Sequence, residues 1–254
     1  MREALEYFAQ GRVGAELDDL LALLADLPED VGSLAKSTTI AADLAETLRA
    51  AVINDPLFGG TGTPLDPGVL LTPSPGKRAR VSVISLFGLT SNEQRQSFVN
   101  QLQMALFAWI KKNPAGDRPL GGLFVMDEAQ TLAPSGGMTA CTESTLALAS
   151  QARKYGLGLV FATQAPKGIH NRIVGNAATQ FFGFLNSPVQ IAAARELAQA
   201  KGSAVLDISR LDTGEFYVSG DSSFRKVIAP MCLSHHPSSA PTNEEVLSRA
   251  QVAG

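Results

Sequence analysis

Residues 120–130, LGGLFVMDEAQ, combine an apolar run with two adjacent carboxylates. An apolar run of this length, bounded by glycines and then by charge, predicts a short buried β-strand. Asp127 and Glu128 would then stand where the strand leaves the sheet. In phosphoryl transfer, the first carboxylate can hold Mg²⁺ directly or through water, and the second can orient or deprotonate the attacking water. The same pattern also arises where a strand merely meets a turn, so this stretch alone leaves both interpretations open.

The segment that follows predicts a helix and a second strand. The helix runs through TESTLALASQARKYG (142–156), and the strand is LGLVFATQ (157–164). In a parallel sheet, Gln164 would leave its strand at the same edge as the two carboxylates, where its amide could hydrogen-bond the γ-phosphate or the attacking water. Arg153, at the end of the helix, could reach a phosphate of a neighbouring subunit as an arginine finger. Equally, Gln164 could cap a turn and Arg153 could complement the helix dipole.

Strands and helices alternate from residue 80 onward. RVSVISLFGL (80–89) predicts a strand, and Ser91 with Gln94 predicts a capping box that opens the next helix. QFFGFLN (180–186) and GEFYVSG (214–220) predict later strands. Strands bridged by helices of this length predict an α/β fold with a mainly parallel sheet covered on both faces.

Four segments follow from the patterning. Residues 1–55 predict a helical segment, 56–79 a Pro/Gly-rich loop, 80–230 the α/β core and 231–254 a C-terminal tail.

Composition restricts the classes of protein. The 254 residues are 45% hydrophobic and 18% charged, which is typical of a globular protein. A net charge of −3 argues against a whole-surface nucleic-acid binder, although a local basic patch in a pore would suffice to grip DNA. Two cysteines are too few for a disulfide scaffold. Without a signal-peptide pattern or an apolar run of about 20 residues, we expect a cytoplasmic protein with no membrane segment.

Three stretches together resemble the HerA/FtsK superfamily of ring ATPases, and most closely its HerA-like branch. They are LFVMDEAQTLAP (123–134), QARKYGLGLVFATQAP (151–166) and HNRIVGNAATQFFGFL (170–185). They look like that family's Walker B strand, its arginine-finger and sensor-strand segment, and its Asn/Thr-containing turn. The resemblance covers roughly residues 80–230, with the motifs in the family's order and spacing.

The resemblance implies a fold, a reaction and roles for four residues. The fold would be a RecA-like P-loop NTPase core with a mainly parallel sheet, preceded by a helical segment. The cofactors would be ATP and Mg²⁺. Asp127 would hold Mg²⁺ through water, Glu128 would be the catalytic base, Gln164 the sensor and Arg153 the finger acting in trans.

The sequence departs from the family at its phosphate-binding loop. A G-x-x-x-x-G-K-[ST] loop cradles phosphates with exposed backbone N–H groups, and no such stretch occurs in the 254 residues. Ala35-Lys36-Ser37-Thr38 lacks the glycines, and Gly76-Lys77-Arg78 lacks the hydroxyl. Neither is expected to follow a strand. Because the family places this loop upstream, we expect the chain to begin after it.

A second departure lies beyond the Asn/Thr turn. Asn176 and Thr179 match the turn and are expected to shape the sheet edge. Many HerA-like proteins carry an arginine on the strand that follows, where this chain has Phe182-Gly183-Phe184.

The resemblance also implies partners and leaves alternatives. We expect self-association into a ring, by resemblance a hexamer, that acts on double-stranded DNA with a nuclease or effector partner. Lys167, His170 and Arg172 could face DNA in the pore or form a solvated loop. Two alternatives share these motifs: a non-catalytic subunit that supplies Arg153 to a neighbour, and a secretion motor of the conjugative type.

A possible metal site lies near the C-terminus. Cys232, His235 and His236 have C-x-x-H-H spacing, which could bind Zn²⁺. A structural zinc site needs four ligands, so a polar turn is the other interpretation.

Overall fold

The computed structural model describes residues 2–11, 17–54, 65–220, 223–230, 239 and 241–252. The chain is mixed α/β and divides into two compact units. The first comprises Met1–Val125 and Met138–Val160, and the second comprises Met126–Gly137 and Phe161–Gly254.

Helices α1 (Arg2–Gln10), α2 (Leu17–Ala25) and α3 (Ser37–Asn54) open the first unit. They enclose a small apolar core of their own, formed by Ala4, Leu24, Leu27, Ala41 and Ala45. The alanine side chains on α3 are small, so the backbone of α3 can pack closely against the neighbouring helices.

A short helix, α4 (Pro67–Leu71), lies in the stretch predicted to be a loop. The Asp66 side chain accepts a hydrogen bond from the Gly68 N–H at 2.7 Å, and Pro67 occupies the first turn. An Asp N-cap followed by proline favours helix initiation. The expectation of an irregular loop over 56–79 is therefore wrong for 67–71.

The strand predicted over 80–89 is not formed. Val81 and Val83 are 87% and 88% exposed, and the Ser82 hydroxyl donates to the Leu70 carbonyl at 2.8 Å instead. Apolar and polar residues alternate in this segment as they do in a strand. A strand also needs a neighbouring strand that hydrogen-bonds its backbone N–H and C=O groups. In the described part of the chain, no other strand pairs with this segment.

The capping box at the start of α5 (Asn92–Lys112) is confirmed. The Ser91 hydroxyl accepts from the Gln94 N–H at 3.1 Å, and the Gln94 side chain accepts from the Ser91 N–H at 3.4 Å. The helix buries side chains spaced three and four residues apart, namely Val99, Leu102, Leu106 and Ile110.

Strands β1 (Gly122–Met126) and β2 (Leu157–Phe161) form a two-stranded sheet. The Gly121 N–H donates to the Gly156 carbonyl just before the two strands begin, and the Ala162 N–H donates to the Met126 carbonyl where they end. Because the starts of the strands lie together and so do their ends, the strands run parallel. Helix α6 (Thr142–Gln151) and a 3₁₀ helix (Ala152–Tyr155) supply the crossover that a parallel pair needs.

Apolar side chains of α5 and α6 pack on one face of this sheet. Ile110, Leu148, Ala152 and Leu157 are buried there, with Phe124 and Leu159 partly buried. Leu123 and Val125, which point to the other face, are 52% and 56% exposed. The expectation of a sheet covered on both faces is therefore wrong for this pair of strands in the described chain.

Gly156 sets the entry into β2. Its φ is +79°, and an added Cβ would lie 2.2 Å from the Cβ of Ala115. Only glycine meets both demands without strain.

The second unit contains the remaining elements. They are α7 (Asn171–Asn176), β3 (Gln180–Phe182), α8 (Pro188–Ala200), a 3₁₀ helix (Ile208–Arg210), β4 (Glu215–Ser219), β5 (Phe224–Ile228) and α9 (Asn243–Val252). The three strands form one sheet in the order β3-β4-β5, with both pairs antiparallel. Since β4 and β5 are joined by a short connection, they cannot run parallel. The prediction of a mainly parallel sheet is correct only for β1 and β2.

Helix α8 and the three-stranded sheet enclose the core of this unit. Its buried members are Ala194, Ala198, Val205, Ile208, Leu211, Tyr217 and Phe224.

A polar network at the sheet edge holds the 3₁₀ helix 208–210 in place. The Tyr217 hydroxyl donates to one Asp207 oxygen at 2.5 Å, and Lys226 pairs with the other at 3.0 Å. Lys226 also pairs with Glu215 at 2.9 Å. These four side chains connect the segment before the 3₁₀ helix with β4 and β5.

The helices in the described ranges are too short or too polar to cross a lipid bilayer.

Candidate functional site

The carboxyl ends of β1 and β2 are joined by backbone hydrogen bonds. The Ala162 N–H donates to the Met126 carbonyl, and the Ala129 N–H donates to the Ala162 carbonyl, both at 2.9 Å. Residues 127–128 and 163–164 are therefore held side by side. This edge is where ligands bind in open α/β sheets.

Glu128 has a left-handed backbone, with φ 48° and ψ 42°. Among the described residues, no other non-glycine residue has a positive φ. The Asp127 carboxylate accepts from the Glu128 N–H at 2.9 Å, and the Thr131 hydroxyl donates to the Glu128 carbonyl at 2.8 Å. These two bonds hold a conformation that costs an L-residue roughly 1–2 kcal/mol. Strain of this kind clusters at functional sites.

Two side-chain amides grip the Glu128 carboxylate. Gln164, in the loop after β2, donates to Oε1 at 2.5 Å, and Gln130, in the 3₁₀ helix Ala129–Thr131 that follows β1, donates to Oε2. The structure thus brings together two residues, Glu128 and Gln164, that the sequence singled out. Their roles in catalysis stay predictions.

Gln130 and Thr163 are additional members of this cluster. The Thr163 hydroxyl donates to Gln130 Oε1 at 2.5 Å. The sequence contains a usable signal, because both are polar residues at the carboxyl ends of the predicted strands 120–130 and 157–164. The local pattern, however, indicates only that Gln130 ends an apolar run and that Thr163 is part of a strand.

Asp127 is exposed at the same edge. Its Oδ1 accepts from the Glu128 N–H, and its other oxygen points to no hydrogen-bond donor among the described residues. Mg²⁺ usually binds one or two carboxylates together with water and substrate phosphates, and an exposed aspartate fits that mode. No cluster of three or more candidate ligands occurs in the described ranges, so the ion's remaining ligands would be water and phosphate.

Arg153 belongs to the first unit, on the exposed turn of the 3₁₀ helix 152–155. In the part of the chain that the structure describes, its guanidinium forms no ion pair. The helix end around it is closed by Gly156, whose N–H donates to the Arg153 carbonyl at 3.0 Å.

The loop after β2 is closely tied to the segment after Glu128. Pro134 and Ile169 form an isolated antiparallel bridge, and the Ser135 N–H donates to the Gly168 carbonyl at 2.8 Å. Within this loop Lys167 is exposed.

His170 has a structural role at the end of that loop. Its Nδ1 accepts from the Arg172 N–H at 3.2 Å and caps α7. Arg172 is exposed, and so are Asn176, the last residue of α7, and Thr179, which precedes β3.

Neither of the two lysine-containing stretches directly follows a strand in the described part of the chain. Lys36 stands between α2 and α3, so a helix precedes it, and Lys77 lies in a turn after α4. Cys232, His235 and His236 lie outside the described residues.

Solved structures similar to the chain include those of the genome packaging NTPase B204 from Sulfolobus turreted icosahedral virus 2. In its complex with ATP-gammaS, it is 17% identical, with 53% of this chain and 62% of that chain covered and a TM-score of 0.40. In its sulfate complex, the identity is 19%, the coverage 56% and 64%, and the TM-score 0.40. The chain therefore spans less than two thirds of that NTPase. No protein-family model and no curated protein matches the chain.

Proposed function

We propose that the chain supplies the hydrolysis side of an ATP site in a ring-forming motor of the HerA/FtsK type that moves double-stranded DNA. The observation that carries the proposal is the grip of Gln164 on the Glu128 carboxylate, at the shared edge of two parallel strands. The motifs at residues 123–134 and 151–166 support the same interpretation. A RecA-like core and a hexameric ring are part of this proposal.

In the proposed reaction, Glu128 takes a proton from a water molecule as the water oxygen attacks the γ-phosphorus. The bond between the γ-phosphorus and the β–γ bridging oxygen breaks, which gives ADP and inorganic phosphate. Gln164 hydrogen-bonds Glu128 before ATP binds and the γ-phosphate or the attacking water afterwards. Asp127 would hold Mg²⁺ through water, and the chemistry supplied there would be neutralisation of phosphate charge.

The remaining parts of the site come from outside this cluster. Arg153 is proposed to reach the site of a neighbouring subunit, which its exposed position and lack of an ion pair among the described residues favour. Because no phosphate-binding loop occurs in residues 1–254, the proposal requires that loop from another polypeptide segment. Lys167 and Arg172 are the proposed DNA contacts.

The decisive test is ATP hydrolysis by the natural full-length polypeptide that carries these residues. Glu128→Gln should lower kcat by at least about 100-fold while the affinity for Mg-ATP is retained, because a general base contributes roughly 10²–10⁴-fold. Glu196→Gln, an exposed carboxylate change on α8, is the matched control and should leave kcat unchanged.

Absence of hydrolysis in the natural polypeptide would contradict this proposal. It would favour the alternative, a non-catalytic subunit that supplies Arg153 to a partner ATPase. In that case Arg153→Ala should abolish the partner's hydrolysis in the mixed assembly.

A further inference from the structure

Gln130 and Thr163 form a chain of hydrogen bonds that ends on the Glu128 carboxylate. The direction of every bond in this chain is determined by chemistry. An ionised carboxylate has no proton to donate, so the Gln130 amide must face it with its nitrogen. The amide oxygen of Gln130 then faces Thr163, and the hydroxyl must donate to it at 2.5 Å.

The Thr163 hydroxyl is itself oriented by the backbone. The Ala165 N–H donates to Thr163 Oγ1 at 3.0 Å, which occupies a lone pair of that oxygen. The single hydroxyl proton is left for Gln130. Ala165 lies in the loop after β2. The later residues of this loop, Gly168 and Ile169, form backbone contacts with residues 134–135. The series of hydrogen bonds therefore starts from a backbone segment that is held in place.

The carboxylate is held from two sides. Gln164 binds Oε1 and Gln130 binds Oε2, so both rotation and tilt of the carboxylate are restricted. A carboxylate has about four acceptor sites, and the two amides use one on each oxygen. Acceptor sites remain for a water molecule.

We propose that Gln130 is a positioning residue for Glu128, and that Thr163 acts through it by holding the Gln130 amide oxygen in place. This inference rests on the proposed function, in which Glu128 is the base. Gln164 is expected to leave the carboxylate for the γ-phosphate or water, so Gln130 is the amide that holds Glu128 during the reaction.

The test uses the natural full-length polypeptide and four variants. Gln130→Ala removes the amide, Thr163→Val removes the hydroxyl at constant shape, Thr163→Ser restores a hydroxyl, and Ser135→Ala removes a hydroxyl that is exposed on the same segment. Gln130→Ala and Thr163→Val should lower kcat roughly 10-fold or more with an unchanged KM for ATP, because a displaced catalytic group loses up to about 10²-fold. Thr163→Ser should recover most of the rate, and Ser135→Ala should match the unmodified protein.

A second readout does not depend on hydrolysis. In the ¹⁵N-labelled chain, the side-chain N–H protons of Gln130 should exchange with water more slowly than those of the exposed Gln151. Thr163→Val should remove that difference and Thr163→Ser should keep it. Equal exchange at Gln130 and Gln151 in the unmodified chain would overturn the inference whatever the activity.

The two proposals fail in different ways. A Gln130→Ala variant with the full kcat, alongside an inactive Glu128→Gln, would overturn the positioning role and leave the proposed function standing. A Glu128→Gln variant with the full kcat would overturn the proposed function itself.

Discussion

At Glu128 a strained backbone and the side chain of the proposed catalytic base occur in one residue. With φ 48° and ψ 42°, the residue turns the chain sharply after β1 and aims its carboxylate at the end of β2. A glycine would adopt this conformation without penalty but would carry no carboxylate. Under the proposed function, the acidic side chain required at this turn accounts for the strain.

The left-handed backbone at residue 128 predicts that a glycine variant will be more stable than an alanine variant. Both Glu128→Ala and Glu128→Gly lose the carboxylate, and they differ only in the Cβ. The glycine variant should have the larger free energy of unfolding, by about 1 kcal/mol, because the left-handed region costs alanine roughly 1–2 kcal/mol and the flexibility of unfolded glycine offsets part of it. Urea unfolding of the two variants measures the difference.

Ala149→Gly on α6 is the control for that comparison. In a helix interior, glycine should lower the free energy of unfolding relative to alanine by about 1 kcal/mol. This change has the opposite sign to the one expected at residue 128. If Glu128→Ala proved as stable as Glu128→Gly, the left-handed conformation of this residue would be refuted.

Among the elements, α5 shows how local signals determine a helix start. Ser91 and Gln94 satisfy each other's backbone N–H groups, and the helix then packs its buried stripe beneath the parallel sheet. Ser91→Ala should lower the free energy of unfolding by about 1 kcal/mol, since an N-cap hydroxyl typically contributes that much. Thermal or urea unfolding, followed by circular dichroism, measures the loss.

The matched control is Ser97→Ala in the interior of the same helix. Alanine is the better helix former there, so this change should be neutral or slightly stabilising. An equal loss at both positions would argue against a specific role for the cap.

The network around Lys226 predicts a pH dependence for the second unit. The pKa of Asp207 is lowered, first by the hydrogen bond from Tyr217 and then by Lys226. The pKa of Glu215 is lowered by the Asp212 N–H and by Lys226. A lowered folded-state pKa contributes stability above the unfolded value, and that stability disappears as the pH falls through the folded value.

Asp207→Asn should therefore destabilise the protein at neutral pH and change little in strong acid. The difference in free energy of unfolding between the unmodified chain and the variant should become smaller as the pH falls from about 4 to about 2. The reason is that the pKa of an aspartate in the unfolded chain is about 3.9. Urea unfolding at a series of pH values measures it. Glu196→Gln, on an exposed face of α8, should show no such trend, and a difference for Asp207→Asn that persists at pH 2 would count against the role of ionised Asp207.

At the scale of the whole molecule, the cluster around Glu128 would account for only part of the proposed ATP site. It contains the proposed base, the proposed sensor and the carboxylate proposed for Mg²⁺, while the 254 residues contain no phosphate-binding loop. The side chains of Leu123 and Val125 also remain exposed on β1, where a larger parallel sheet would bury them.

The 254-residue chain alone is therefore expected to show no binding of Mg-ATP by isothermal titration calorimetry. Asp127→Ala should give the same result as the unmodified chain. Binding that weakens in Asp127→Ala would mean that the chain binds phosphate through a loop around Lys36 or Lys77.

Local pattern in the sequence determined the helix cap at Ser91, the apolar strands at 122–126 and 157–161, and the polar residues at their ends. These features depend on hydrogen bonds and periodicities within a few residues, which any short window contains. The tertiary structure alone decided that 80–89 forms no strand, that β4 and β5 pair antiparallel, and that Gln130 and Thr163 meet. Strand pairing and side-chain contacts join residues far apart in sequence, and their free energy depends on which residues the fold brings together. No local pattern in the sequence therefore encodes them.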